Sequence, residues 1–114
     1  MKTGEEHYKD YLDNLEQKKM ASAGLSLMAA AYSDYAPAMT ALAAMYMFGD
    51  GVKVNGKKAV ELLTRAIELG DGEALFVRGV CSEKAIGVEK DPEAAQNWYK
   101  KAAEKGITRS ALMA

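Results

Sequence analysis

The chain has 114 residues, enough for one ordinary domain with a buried core and too few for two. Its 15 basic and 16 acidic residues give a net charge of -1, so electrostatics offers no reason to expect nucleic acid or an anionic membrane surface as a partner. The chain has a single cysteine, Cys81, and no N-terminal apolar run of the kind that marks a secretory signal, so a cytoplasmic location is expected.

Apolar residues spaced three and four apart predict helices along the whole chain. In order, these helices cover residues 4–19, 21–33, 36–48, 57–69, 73–84 and 92–105, and another begins near 108. Loops are predicted at residues 49–56 and 85–91, and no stretch alternates in the manner of a strand. The longest apolar-rich stretch, residues 23–48, is broken by serines, an aspartate and a proline, so it predicts buried helix rather than a membrane span.

The sixth predicted helix carries its own boundary signals. Asp91 suits the N-cap, Pro92 suits the first helical position, and Gly106 suits a left-handed residue just after the helix. Local sequence therefore defines both ends of this helix.

A similar stretch occurs twice, as GVKVNGKKAVELLTRAIELG at residues 51–70 and as GVEKDPEAAQNWYKKAAEKG at residues 87–106. A shift of 36 residues places Ala66 on Ala102 and Gly70 on Gly106, so alanines recur where helices approach closely and glycines where helices end. Another predicted helix precedes each of these stretches, at residues 36–48 and 73–84, so each unit is helix, loop, helix. A single hairpin cannot bury its own apolar face, so stacked copies must supply the core.

These positions make the chain similar to the Sel-one-like repeats, relatives of the tetratricopeptide repeats that stack helical hairpins. The first full unit, residues 36–71, carries the family pattern at Ala38, Leu42, Tyr46, Gly49, Gly51, Val52, Ala59, Ala66 and Gly70. The second full unit, residues 72–107, carries it at Ala74, Gly79, Gly87, Val88, Asp91, Ala95, Trp98, Tyr99, Ala102, Ala103 and Gly106. The resemblance implies an all-α fold, a right-handed α-α superhelix of stacked helical hairpins.

The rest of the chain is assigned around those two units. Residues 21–35 are a half unit, residues 108–114 begin a further unit, and residues 1–20 match no unit and are predicted to form an N-terminal capping helix. Trp98 is expected at the centre of the stack, where Trp98→Ala would cost ~3–5 kcal/mol as a core truncation. Arg78 and Ser82 replace the family's usual leucine and tyrosine, so the first helix of the second unit is expected to pack differently.

Nothing in the sequence predicts a catalytic, cofactor-binding or metal site. His7 is the only histidine, and with one cysteine it cannot assemble a zinc site of the common nitrogen-and-sulfur kind. Cys81 is interpreted as a small packed side chain rather than a nucleophile. The glycines of FGDGVKVNG, residues 48–56, lack the lysine-serine or lysine-threonine ending and the preceding strand of a phosphate loop, so they are interpreted as turns.

The resemblance points to binding on the concave groove, which in the family is lined by the first helix of each hairpin. The residues expected to face it are Thr40, Ala44, Met47, Phe76, Val80 and Glu83. The alternative is that the N-terminal helix or a downstream helix covers these positions.

The function predicted from the sequence is a protein-interaction module, an adaptor or scaffold that binds a peptide or helix of another protein. Self-assembly, as a homodimer or a larger structural array, is the alternative. An enzyme is the least favoured class, because no nucleophile, base or metal set converges in the sequence.

Overall fold

The computed structural model describes residues 1–108, which contain six helices of 13 residues each and no strand. The helices are α1 (Gly4–Glu16), α2 (Met20–Tyr32), α3 (Ala36–Phe48), α4 (Gly56–Glu68), α5 (Gly72–Lys84) and α6 (Pro92–Glu104). The predicted all-α fold is confirmed, with helix ends within a few residues of those expected. Residues 109–114, where most of the further predicted helix falls, lie outside the described part of the chain.

The helices pack as three antiparallel hairpins, α1 with α2, α3 with α4 and α5 with α6. Each second helix also packs on the first helix of the next hairpin, and α3 packs directly on α5. The first helices therefore form one layer and the second helices the other, and the stack measures 41 × 29 × 26 Å.

Small residues hold the two layers together. The fully buried positions include Ala30, Ala66 and Ala102, which are spaced 36 residues apart and let neighbouring helices approach closely. Leu27, Leu42, Leu63 and Cys81 are the largest fully buried side chains. The core is thus continuous through the stack, as expected for hairpins that cannot fold alone.

The capping signals of the sequence are used as predicted. Asp91 accepts a hydrogen bond from the Ala94 amide at 3.0 Å, Pro92 opens α6, and Gly106 has a φ of +80° just after the helix. Asn55 caps α4 in the same way through the Lys58 amide at 3.0 Å. The glycine-rich loop before it contains the left-handed Gly49 and Gly51, so its glycines form turns.

The N-terminus differs from its sequence assignment. The predicted capping helix and half unit are joined in the structure as a hairpin like the other two, because α1 packs along α2. Only residues 17–19 separate α1 from α2, whereas residues 49–55 separate α3 from α4. This shorter connection shifts α1 by four positions relative to the 36-residue repeat, so the repeat period does not reveal it.

Trp98 is not at the centre of the stack. It is half-buried, with the Arg78 guanidinium 5.2 Å and the Lys101 ammonium 5.0 Å from the centre of its ring. The neighbouring Tyr99 is also half-buried, and its ring packs on Phe76 at 5.0 Å between centroids. The expected cost of Trp98→Ala is correspondingly smaller than for a fully buried aromatic.

Candidate protein-interaction surfaces

The inner face of the stack is formed by the first helix of each hairpin. Aligned by their first residues, α1, α3 and α5 place Leu12, Ala44 and Val80 at the same ninth position. Leu12 is 48% exposed, Ala44 and Val80 are half-buried, and Phe48, at the end of α3, is 62% exposed. We call these four residues the inner row. The carboxylates of Glu5 and Glu73 stand at the second position of α1 and α5, two helical turns before the ninth position, so they lie beside the row on the side of the helix N-termini.

Two of the candidate groove residues are buried. Thr40 is 4% exposed and Met47 is 5% exposed, so the prediction that they face an open groove is wrong. Thr40 donates a hydrogen bond from its hydroxyl to the carboxylate of Asp71, the residue that precedes α5. Because Met47 lies two helical turns further on the same face of α3, both residues face the next hairpin.

The equivalent positions of the third hairpin face the C-terminal end of the stack. Phe76 and Glu83 line an open cavity of about 420 Å³ together with Tyr99, Ala103 and Ile107. Of the six candidates, Ala44 and Val80 belong to the inner row by their position in the helices, and the other four lie on faces used for stacking. The groove positions predicted from the family pattern did not include Leu12 and Phe48. The 36-residue shift did not align Leu12 with Ala44, because the connection between α1 and α2 is four residues shorter than that between α3 and α4.

Two tyrosines of α1 attach the N-terminal hairpin to the core. Tyr8 and Tyr11 pack against the buried core, with their rings 5.5 Å apart, and Tyr8 also contacts the Tyr35 ring at 5.4 Å. Burial, together with Tyr11 and the Glu73 carboxylate nearby, raises the pKa of Tyr8. A cavity of about 430 Å³ lined by Tyr8, Lys9 and Leu12 remains open beside these rings.

The N-terminal end of the stack is polar. The depression there is lined almost entirely by polar and charged side chains, namely Lys2, Asp10, Asp13, Asn14, Gln17, Lys19, Ser22 and Ser26. Such a surface is typical of the terminal repeat that shields the core of a solenoid from solvent.

Within the described residues, the single cysteine is buried and no metal-binding cluster is present. Cys81 is fully buried, and burial raises the pKa of its thiol against a smaller opposite effect of Arg78, so the reactive thiolate is disfavoured. Within residues 1–108 no group of three or more His, Cys, Asp and Glu side chains is placed to hold a metal ion. No helix in the same range is long and apolar enough to cross a membrane.

The comparisons with known proteins agree with this architecture. The sequence model of the Sel1 repeat matches residues 36–71 and 72–107, so the chain belongs to the Sel1 repeat family. Sel1 repeats generally form protein-interaction modules and are typically not catalytic.

Two solved structures share the fold. A Sel1 repeat protein from Oxalobacter formigenes superimposes with a TM-score of 0.79 at 27% identity, covering 96% of this chain and 86% of its own. The protective antigen c5321 of uropathogenic Escherichia coli, described as displaying an SLR fold, gives a TM-score of 0.80 at 29% identity, covering 91% of this chain and 23% of its own. The right-handed α-α superhelix implied by the sequence is thereby supported.

A regulatory protein is also similar in sequence. Chitin synthase regulatory factor 3 of Schizosaccharomyces pombe is 35% identical over 83 residues, which is 71% of this chain. The chain spans 9% of the length of that relative, so the match concerns only a short segment of it.

Proposed function

We propose that this chain is an adaptor module that binds a peptide or helix of another protein across its inner face. The observation that carries the proposal is the inner row, in which Leu12, Ala44, Val80 and Phe48 bring apolar side chains from three successive hairpins to one surface. Exposed apolar groups aligned in this way typically mark an interaction site.

The length of the inner row sets the length of the ligand that can lie along it. Packed helices lie about 8–10 Å apart, so the row from α1 to α5 is roughly 20 Å long. An extended peptide of about six residues spans this length, and so does a helix of about 14 residues with an apolar residue at every seventh position. A basic group on the ligand would suit the side of the row on which Glu5 and Glu73 lie, toward the N-termini of α1 and α5.

Binding is tested with peptides selected from a displayed library and measured by fluorescence anisotropy. Leu12→Glu and Phe48→Lys should each weaken the selected peptides at least tenfold, because both changes place a charge in the apolar row. Phe48→Lys introduces the residue type found at the same position of α5, Lys84, so the helix should tolerate it. Leu25→Glu, at a leucine of the opposite layer that is 72% exposed against 48% for Leu12, is the matched control and should leave binding unchanged.

Circular dichroism of each variant confirms that the helices remain intact. Peptides that bind equally well to Leu12→Glu and to the unchanged chain, or that are lost equally in Leu25→Glu, would place the site elsewhere. A fold-preserving loss confined to Leu12→Glu and Phe48→Lys supports the inner face.

A further inference from the structure

The outward face of α2 lacks the charges that its counterparts carry. The second, sixth, ninth and thirteenth residues of each second helix lie on one face, opposite the buried alanines. In α4 these residues are Lys57, Glu61, Thr64 and Glu68, and in α6 they are Glu93, Asn97, Lys100 and Glu104, all exposed. In α2 they are Ala21, Leu25, Met28 and Tyr32.

Three of these side chains are exposed in the structure, whereas Met28 is half-buried and packs partly against the core. Leu25 is 72% exposed and Tyr32 is 71% exposed, and they lie two turns apart on the same face of α2. The whole of α2 contains no acidic or basic residue, although it lies in the outer layer of the stack. The equivalent helices α4 and α6 carry charged and polar residues on this outward face. The apolar outward face of α2 is therefore expected to be covered by another surface.

The charges that flank α2 oppose the helix dipole. Lys18 and Lys19 stand at its N-terminus, where negative charge is favoured, and Asp34 stands just past its C-terminus, where positive charge is favoured. Lys19 occupies the N-cap position and makes no side-chain capping hydrogen bond. Asp34 has one long contact, 3.8 Å, with the exposed Arg65.

We infer that the outward face of α2 is a dimer interface and that its occupant is α2 of a second copy of this chain, in antiparallel orientation. A two-fold axis between positions 26 and 27 places Tyr32 opposite Ala21 and Leu25 opposite Met28 of the other copy, so large side chains meet smaller or flexible ones. The same axis brings Lys19 of each copy beside Asp34 of the other. In this arrangement the end charges of each copy lie beside opposite charges of the other copy, and each apolar face is covered by its counterpart. Because α2 itself contains no charged residue, burying it desolvates no charge.

The size of the contact sets its strength. A helix of 13 residues is about 20 Å long. One pair of such helices buries less area than the roughly 1,200–2,000 Å² of a standard stable interface. The dimer should therefore be weak and should form with increasing protein concentration. This surface lies on the opposite layer from the inner row, so each interaction can fail without the other.

The experiment is sedimentation equilibrium of the purified chain from about micromolar to millimolar concentration. The unchanged chain should move from monomer to dimer and stop there, because an isologous contact closes on itself. Leu25→Glu combined with Tyr32→Glu introduces the residue types of Glu61 and Glu68 and should remain monomeric with unchanged helicity. Phe48→Lys, on the inner face, is the matched control and should still dimerise.

A charge exchange tests the antiparallel orientation. Lys19→Glu should weaken the dimer at least several-fold, because the introduced carboxylate faces Asp34 of the other copy. Adding Asp34→Lys to Lys19→Glu should restore dimerisation, which a purely apolar or parallel contact does not predict. Two results would overturn the inference: a monomer at all concentrations, or a dimer insensitive to the Leu25 and Tyr32 changes. Higher assemblies that persist in the double variant would point instead to the open C-terminal cavity.

Discussion

The contact between Gly56 and Gly87 offers a sharp test of how the hairpins stack. Gly87 lies in the loop between α5 and α6, and Gly56 opens α4 of the preceding hairpin. A Cβ added to Gly87 would lie 2.2 Å from the Gly56 carbonyl oxygen and 2.9 Å from a Val60 methyl carbon. Gly87 also has a φ of +72°, which L-residues other than glycine rarely adopt. We expect Gly87→Ala to separate the two hairpins locally.

The cost of Gly87→Ala has two parts. The left-handed conformation costs about 1–2 kcal/mol for alanine. Overpacking against a backbone atom adds about 1–3 kcal/mol, so the free energy of unfolding should fall by roughly 2–5 kcal/mol. Gly70→Ala isolates the first part, because Gly70 has a φ of +92° and no atom within 4 Å of the added Cβ. Gly56→Ala isolates the second, since its Cβ would lie 2.6 Å from the Gly87 nitrogen in an ordinary helical conformation.

Urea unfolding followed by circular dichroism measures all three variants, and the slope of the transition checks that the same surface is exposed on unfolding. We expect Gly87→Ala to be the most destabilising of the three. If Gly87→Ala and Gly70→Ala cost the same, and Gly56→Ala costs nothing, then the two glycines do not carry a close contact between hairpins.

Three further predictions concern buried and half-buried side chains. Thr40→Val should cost about 1.5–3 kcal/mol by removing the hydrogen bond to Asp71, whereas Thr64→Val, at an exposed threonine bonded to its own helix, should cost little; equal unfolding free energies would contradict this. Trp98→Ala should lower the free energy of unfolding by about 1–3 kcal/mol, less than Leu63→Ala in the same denaturation series, because Leu63 is fully buried. A larger loss for Trp98→Ala than for Leu63→Ala would show that Trp98 lies in the core. The thiol of Cys81, buried and with a raised pKa, should react with a disulfide reagent near neutral pH only as the chain opens; immediate labelling of the folded chain would show an exposed thiol.

The position of each helix followed from local sequence signals. Asp91, Pro92 and Gly106 define the ends of α6 through bonds within a few residues, so no distant contact is needed to predict them. The alanines 36 residues apart predicted buried contacts between layers, and Ala30, Ala66 and Ala102 are buried. In a repeat protein each copy packs against the same kind of neighbour, so the same position is buried in every copy.

The environment that each side chain faces was harder to predict than the helices themselves. Thr40 and Phe76 occupy the same position of the repeat, yet Thr40 is buried against Asp71 and Phe76 lines an open cavity. The difference arises because α3 has a hairpin stacked on it within the described residues and α5 does not. The 36-residue shift aligns these two positions, so it predicts the same burial for both.

By itself the sequence determined the repeat period, the helices and the class of fold, because each depends on spacing, caps and small residues along the chain. Only the tertiary structure decided that residues 1–35 form a further hairpin, that Leu12 and Phe48 join the inner row, and that Leu25 and Tyr32 are exposed on α2. These features depend on which helices are neighbours in space. The connection between α1 and α2 is four residues shorter than its counterpart between α3 and α4, so the 36-residue shift no longer aligns α1 with α3 and α5.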